Sequence, residues 1–340
     1  MSIAPSSVFK PGLVRLGLAM IVYVHHVSRF SLGSTAVYVF FMLSGYWISK
    51  MWKEKYSTFQ KPLMGFFASR FIRLIPVFIL ANLIVLCINY YMDKISFSQP
   101  SSGALWWVHN IFSNLFILGY SSLETKPLGS SWSLDIEMQF YFLAPLLIAS
   151  ISSRPKMWLI VALATSMISS YVFGDAVFLT FSVFFIFGII AQEINWQPSS
   201  QLAVYSLAAF LIAVVALLLI PPLRNVLLGG AHPSAVFIKY NGILNILLAF
   251  LLAPIAMFSV HQKSNQTDSM WGDFSYIIYL LHWPAVSVVS WSYGDLPPVQ
   301  RLPYVIIAAA VVFITTFCVW KYYDKPLNLL RGKVIRRFFE

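Results

Sequence analysis

The chain has 340 residues, 59% of them hydrophobic and only 10% charged, with a mean hydropathy of +0.75. Soluble domains carry about a quarter charged residues, so this composition excludes a soluble enzyme and a nucleic-acid-binding domain. The 23 Lys and Arg against 12 Asp and Glu, a net charge of +11, therefore read as membrane topology rather than as a nucleic-acid footprint.

Near-continuous apolar runs predict an all-α polytopic membrane protein; a β-barrel would instead show segments of about ten residues alternating apolar and polar. Ten spans are predicted near 13–28, 33–52, 71–92, 136–152, 157–173, 176–192, 202–220, 243–260, 274–293 and 303–322. With the first segment inside, the inner connections and tail hold Lys10, Arg15, Lys50, Lys53, Lys55, Lys61, Arg70, Arg73, Arg154, Lys156, Lys263 and the six basic residues of 321–340, 17 in all. The outer side receives six: Arg29, Lys94, Lys126, Arg224, Lys239 and Arg301. That asymmetry predicts both termini cytoplasmic, which an even span count requires. A cleaved signal peptide in 1–36 is rejected because Arg15, His25 and His26 interrupt its apolar region.

The longest connection, 93–135, is predicted to face outward, and its apolar stretch 111–120 is too short to cross, so it is read as interfacial or re-entrant. Residues 1–325 are read as one transmembrane domain. Residues 326–340 form a basic tail in which apolar residues alternate with Arg331, Lys333, Arg336 and Arg337, as in an amphipathic helix on the cytoplasmic leaflet. Cys87 and Cys318 lie in apolar runs and give neither a disulfide framework nor a metal site.

An ionisable side chain at membrane depth costs about 2.5–3.5 kcal/mol on insertion scales, which makes each one a functional candidate. Arg15 and His26 fall eleven residues apart on the first span, close to one face and about 16 Å apart along the axis. Arg70 and Arg73 share a face at the mouth of the third, where they suit either a phosphate clamp or an ordinary positive-inside anchor. Asp135 and Glu137 open the fourth; capping accounts for Asp135 and leaves Glu137 unexplained. In the ninth, Ser275, Tyr279 and His282 form one stripe ahead of Pro284, predicted to look into a polar cavity.

Five segments in order complete the pattern: Arg15 with His26, Phe40-Phe41-Met42-Leu43-Ser44-Gly45-Tyr46, Arg70-x-x-Arg73-x-x-Pro76, Trp132-Ser133-Leu134-x-x-Glu137-x-x-Phe140-Tyr141, and Ser275-Tyr276-x-x-Tyr279-x-x-His282-Trp283-Pro284. Together they resemble the membrane acyltransferase-3 family of stand-alone carbohydrate O-acetyltransferases. The family's usual Gly-Leu-Arg reads Gly12-Leu13-Val14-Arg15 here, with one extra residue.

The resemblance implies a bacterial inner-membrane enzyme that moves an acyl group, usually acetyl, from cytosolic acetyl-CoA to a hydroxyl of a surface or exported carbohydrate such as O-antigen or exopolysaccharide. Many relatives carry a fused hydrolase-like domain outside the membrane, which is not expected here. On this reading Arg15, Arg70 and Arg73 bind the donor. His26 is the general base, with an acyl-His26 intermediate as the variant, and Glu137 orients it from the same external level. Tyr141, Ser275, Tyr279 and His282 hold the acceptor or assist the proton, while a satisfied buried histidine is the plainer reading of His282. No metal is expected, and the partners are the carbohydrate acceptor, membrane lipid and optionally a second copy of the chain. The competing classes are a transporter or flippase for lipid-linked glycan, a sensor or scaffold without chemistry, and succinyl rather than acetyl transfer.

Overall fold

The computed structural model describes residues 9–92, 103–230 and 233–340. Helices dominate it, and the one isolated β-bridge among the described residues joins Phe30 to Leu228. In chain order they are α1 (Pro11–Val27), α2 (Gly33–Glu54), α3 (Pro62–Tyr91), α4 (Gly103–Phe116), α5 (Trp132–Ile151), α6 (Pro155–Phe173), α7 (Phe178–Glu193), α8 (Ser200–Leu219), α9 (Pro221–Leu227), α10 (Ala235–Ser259), α11 (Gln266–Tyr293), α12 (Pro298–Val319) and α13 (Lys325–Phe339).

Each of the ten predicted spans falls on one of these helices, and the molecule is a polytopic membrane protein. Among the described residues, seven stretches are long and apolar enough to cross a bilayer, holding α3, α5, α6, α8, α10, α11 and α12. The other three predicted spans fall on α1, α2 and α7. The 17 residues of α1 and 16 of α7 rise only about 24–26 Å. Helix α2 has the length, but it runs through the middle of the bundle, and its buried Thr35, Gly45 and Ser49 meet protein rather than lipid. Small and polar residues of this kind let helix backbones approach closely. An added Cβ at Gly45 would lie 2.1 Å from the Phe185 carbonyl oxygen, and one at Gly188 would lie 2.0 Å from that of Met42, so the α2–α7 crossing depends on both glycines.

The core is aromatic, with the Phe41, Phe185 and Phe140 rings in sequence at centroid separations of 4.5 and 4.3 Å. By contrast, α6, α8 and α12 bury less than a fifth of their apolar windows and present the remainder to lipid. Pro76 interrupts the ladder of α3, and the nearby carbonyls of Leu74 and Pro76 accept from the Tyr276 and Tyr323 hydroxyls.

Two ends are distinguishable. At the basic end, Asp268 of α11 accepts from the Gly12 and Leu13 amides, Lys53 pairs with Glu193, and Lys55 pairs with Glu340. At the far end Arg29 donates to the Gly229 carbonyl and Asn241 to that of Ser31.

Two peripheral elements differ from the sequence reading. The short apolar piece of the long connection is α4, which starts eight residues before 111 and ends where Ile117 and Gly119 turn to positive φ. Leu105, Val108, Ile111 and Phe112 are exposed on it, as on a helix lying at an interface; 93–102 lie outside the described residues. The tail helix α13 does more than rest on a leaflet. It folds back along the start of α3, with Ile335 buried and the Phe339 carbonyl accepting from the Gln60 amide.

Candidate active site

A cavity of about 180 Å³ opens inside the basic end, and Arg15 of α1, Ser44 and Trp47 of α2, Arg70 and Arg73 of α3, Glu137 and Tyr141 of α5 and Tyr279 of α11 line it. The three arginines are held differently. Arg73 donates to Asp273 at 2.9 Å and to Asn328 at 3.2 Å, which fixes its guanidinium with donors to spare. Arg70 donates to the Tyr56 hydroxyl at 2.8 Å, which in turn donates to Ser69, and its Nε is buried without a partner. Arg15 stands 5.8 Å over the Trp47 ring and forms no hydrogen bond or ion pair among the described residues. Three guanidinium groups with free donors in one confined space suit an anion of several phosphates.

Glu137 belongs to this cavity. Its Oε1 accepts from the Ser44 hydroxyl at 2.5 Å and from that of Tyr141 at 2.7 Å, one turn along α5. The expected pairing of Glu137 with His26 is therefore not formed: Glu137 points among the arginines, and His26 lines other cavities. The reason lies in helix phase. Asp135, two residues earlier, faces the far-end loop and accepts from the Gly119 and Ser121 amides at 2.9 and 2.8 Å, so Glu137 is turned about 200° away from it, toward α2. Nor does Asp135 cap α5, since its partners lie in that loop and in Gln139.

His26 lines a larger cavity of about 720 Å³ at the far end, between α1, α3, α4 and α11. Trp106, Trp107 and Asn110 of α4, Lys126 and Pro127 of the following loop, and Trp283 and Ser290 of α11 complete much of its wall. A second far-end cavity, of about 480 Å³, places His26 beside Arg29, Gly230 and Arg301. The His26 ring stacks on His282 at 5.2 Å and meets Trp283 edge-on at 5.0 Å, and it makes no hydrogen bond among the described residues. Its nitrogens are free to meet a substrate.

His282, by contrast, is fully buried and lines none of these cavities. A carbonyl can only accept, so the 3.0 Å contact between His282 Nδ1 and the Ile278 oxygen places the proton on Nδ1 and a lone pair on the unpartnered Nε2. Tyr279 stands 6.1 Å from the His282 ring and faces the basic cavity, where its hydroxyl donates to the Ser130 carbonyl and accepts from Ser133. Ser275 also lines that cavity with its hydroxyl turned back to Gly272. The stripe on α11 thus divides: Ser275 and Tyr279 look into the basic cavity, and His282 stands between Tyr279 and His26. His25 lines none of these cavities: it lies 3.1 Å from the Phe30 carbonyl, packs over Gly33 and meets the His26 ring edge-on at 4.6 Å. Arg15 reaches one cavity and His26 the others.

A family profile described as an acyltransferase domain matches residues 10–323. The chain belongs to the acyltransferase-3 family. The acyltransferase is also similar to the O-acetyltransferase OatA of Staphylococcus aureus strain NCTC 8325 / PS 47, at 31% identity over 159 residues, 44% of this chain and 26% of the relative. The same figures hold for that protein in strains COL and MRSA252. The alignment thus spans about a quarter of the length of these curated relatives. No solved structure matches.

Several site residues were not singled out from sequence. Ser44 and Ser133 lie inside two of the motifs as small polar residues, and only tertiary structure turns them to Glu137 and Tyr279. Asp273, the partner of Arg73, lies 200 residues further along the chain. Tyr56 and the tryptophans of α4 carried no periodic signal at all.

Proposed function

We propose that this acyltransferase moves an acetyl group from acetyl-CoA, bound in the basic cavity on the cytoplasmic side of a bacterial inner membrane, to a carbohydrate hydroxyl in the far-end cavity. One observation carries the reading: a cavity with three arginines and a cavity with four tryptophans lie at opposite ends of the bundle, joined by the succession of Tyr279, His282 and His26. Guanidinium groups suit nucleotide phosphates. The indole faces of Trp106, Trp107, Trp283 and Trp291, with Asn110, Asn114 and Ser290 between them, suit a sugar, which offers apolar ring faces and hydroxyls together.

A sugar hydroxyl is a weak nucleophile near neutral pH. His26, the histidine that reaches the far-end cavity with its nitrogens free, takes the hydroxyl proton as the oxygen attacks the thioester carbon. Collapse of the tetrahedral intermediate breaks the carbon–sulfur bond, and the His26 imidazolium returns its proton to the departing thiolate. His282, held through Nδ1, fixes the plane on which His26 stacks. Glu137, bonded to Ser44 and Tyr141, acts on the donor side as a counter-charge to the arginines.

Membranes containing the protein, given radiolabelled acetyl-CoA and the cell's own surface glycan, are expected to place base-labile label on that glycan. Arg73→Ala is expected to raise KM for acetyl-CoA about tenfold or more. Glycan carried across the membrane without label would establish the transporter reading instead, and preference for succinyl-CoA would correct the acyl group. Orientation is tested separately: reporters fused after Glu340 and within 98–104 are expected to score cytoplasmic and external, and an external C-terminus overturns the placement of the donor.

A further inference from the structure

The helix that follows the matched family region brings another arginine, Arg331, alongside the start of α3, just outside the residues that line the basic cavity. Helix α13 runs antiparallel to the start of α3, and two contacts fix its register: Asn328 accepts from Arg73, and Phe339 lies against Gly65. Eight residues of α3 therefore oppose eleven of α13, and interpolation places Arg70 level with residue 332. Asn328, Arg331, Ile335 and Phe339 follow at intervals of three, four and four, one face of a helix. Asn328 bonds α3, Ile335 is buried and Phe339 packs on Gly65, so Arg331 on that face is turned toward Arg70.

Arg70 and Arg331 form no ion pair among the described residues, whereas Arg73 takes Asp273 and Asp324 accepts from Asn328. Burial lowers the Arg331 pKa, the like charges of Arg73 and Arg70 lower it further, and Tyr56 and Asp324 act the other way. Two neighbouring cations with no carboxylate within ion-pair distance are stabilised by an added anion.

We infer that Arg331 and Arg70 form a phosphate subsite at the outer rim of the basic cavity and that, on the donor reading above, it takes the 3′-phosphate of coenzyme A. Depth decides which phosphate. Arg70 lies about 4.5 Å nearer the basic end than Arg73, one turn along α3. In acetyl-CoA the thioester leads, the diphosphate follows and the ribose 3′-phosphate trails. The inner pair, Arg15 and Arg73, accordingly meets the diphosphate, and the outer pair meets the terminal phosphomonoester. An anionic lipid headgroup offers the same chemistry, so the test separates the two sources.

Binding of acetyl-CoA and of its 3′-dephospho form is measured by calorimetry on the full chain in nanodiscs of neutral phosphatidylcholine. The unaltered protein is expected to prefer acetyl-CoA by about tenfold or more, and Arg331→Gln to erase that preference by weakening acetyl-CoA alone. Arg331→Lys keeps the charge without the fork and is expected to fall between them. Arg336→Ala, on the exposed side of α13, is expected to change neither affinity. Equal weakening of both ligands by Arg331→Gln, or no weakening, overturns the assignment. So does an effect present only when phosphatidylglycerol is added, which assigns the pair to lipid. Failure of the unaltered protein to bind acetyl-CoA at all removes the donor reading itself, an outcome distinct from loss of the preference.

Discussion

Replacing His26 with alanine is expected to lower acetyl transfer by about 10²- to 10⁴-fold while leaving acetyl-CoA affinity within about twofold, because base catalysis acts in the transition state and contributes little to donor binding. The geometry sharpens that separation. His26 lines only far-end cavities, and the arginines that suit the donor lie in the other one. His25 is the internal control, one residue away and turned by about 100°. Its imidazole sits against Gly33 and within hydrogen-bond distance of the Phe30 carbonyl, so His25→Ala is expected to keep the transfer chemistry and lose about 1 kcal/mol of stability. Single-turnover transfer and acetyl-CoA titration on both variants decide the matter. If His26→Ala transfers at an undiminished rate, general-base catalysis by this residue is wrong.

The arrangement of helices was legible because lipid imposes it. Apolar length reports a crossing wherever a helix faces hydrocarbon, and α3, α8 and α12 do so over most of their surface. The rule weakens where protein replaces lipid. Helix α2 is read from its apolar run like the others, yet it is not apolar enough for a lipid-facing crossing, since a helix surrounded by others is free to carry Ser44, Gly45 and Ser49. Site residues were legible by cost, because an arginine or histidine in a span needs a reason. What spacing did not give was the cavity each one enters. Glu137 and His26 both belong to predicted motifs, yet α5 turns Glu137 toward Ser44 and Tyr141. That phase depends on Asp135 being committed to a loop fourteen to sixteen residues earlier in the chain. The role of α13 was hidden for a related reason: an amphipathic basic helix has the same pattern on a lipid headgroup layer as it does folded back on α3.

Asp135→Ala is expected to be the most damaging single substitution for stability, at about 3–5 kcal/mol. The Asp135 side chain is wholly inaccessible and accepts from the Gly119 amide, the Ser121 amide, the Ser121 hydroxyl and Gln139. Removing it strands backbone donors in a segment that already holds Ile117 and Gly119 at positive φ. Asp135→Asn keeps one acceptor and the shape, so a smaller loss of about 1–2 kcal/mol is expected. The damage has a direction. The same loop continues through Tyr120, whose hydroxyl accepts from the Leu128 amide, to Thr125, Lys126 and Pro127 in the wall of the far-end cavity. Folded Asp135→Asn protein is therefore expected to bind acetyl-CoA normally and to show a raised KM for the glycan acceptor. Thermal unfolding in detergent reads the first effect and transfer kinetics the second. An Asp135→Ala protein that melts within about one degree of the unaltered one would show that the loop is held by its own packing, and would detach the carboxylate from the acceptor site.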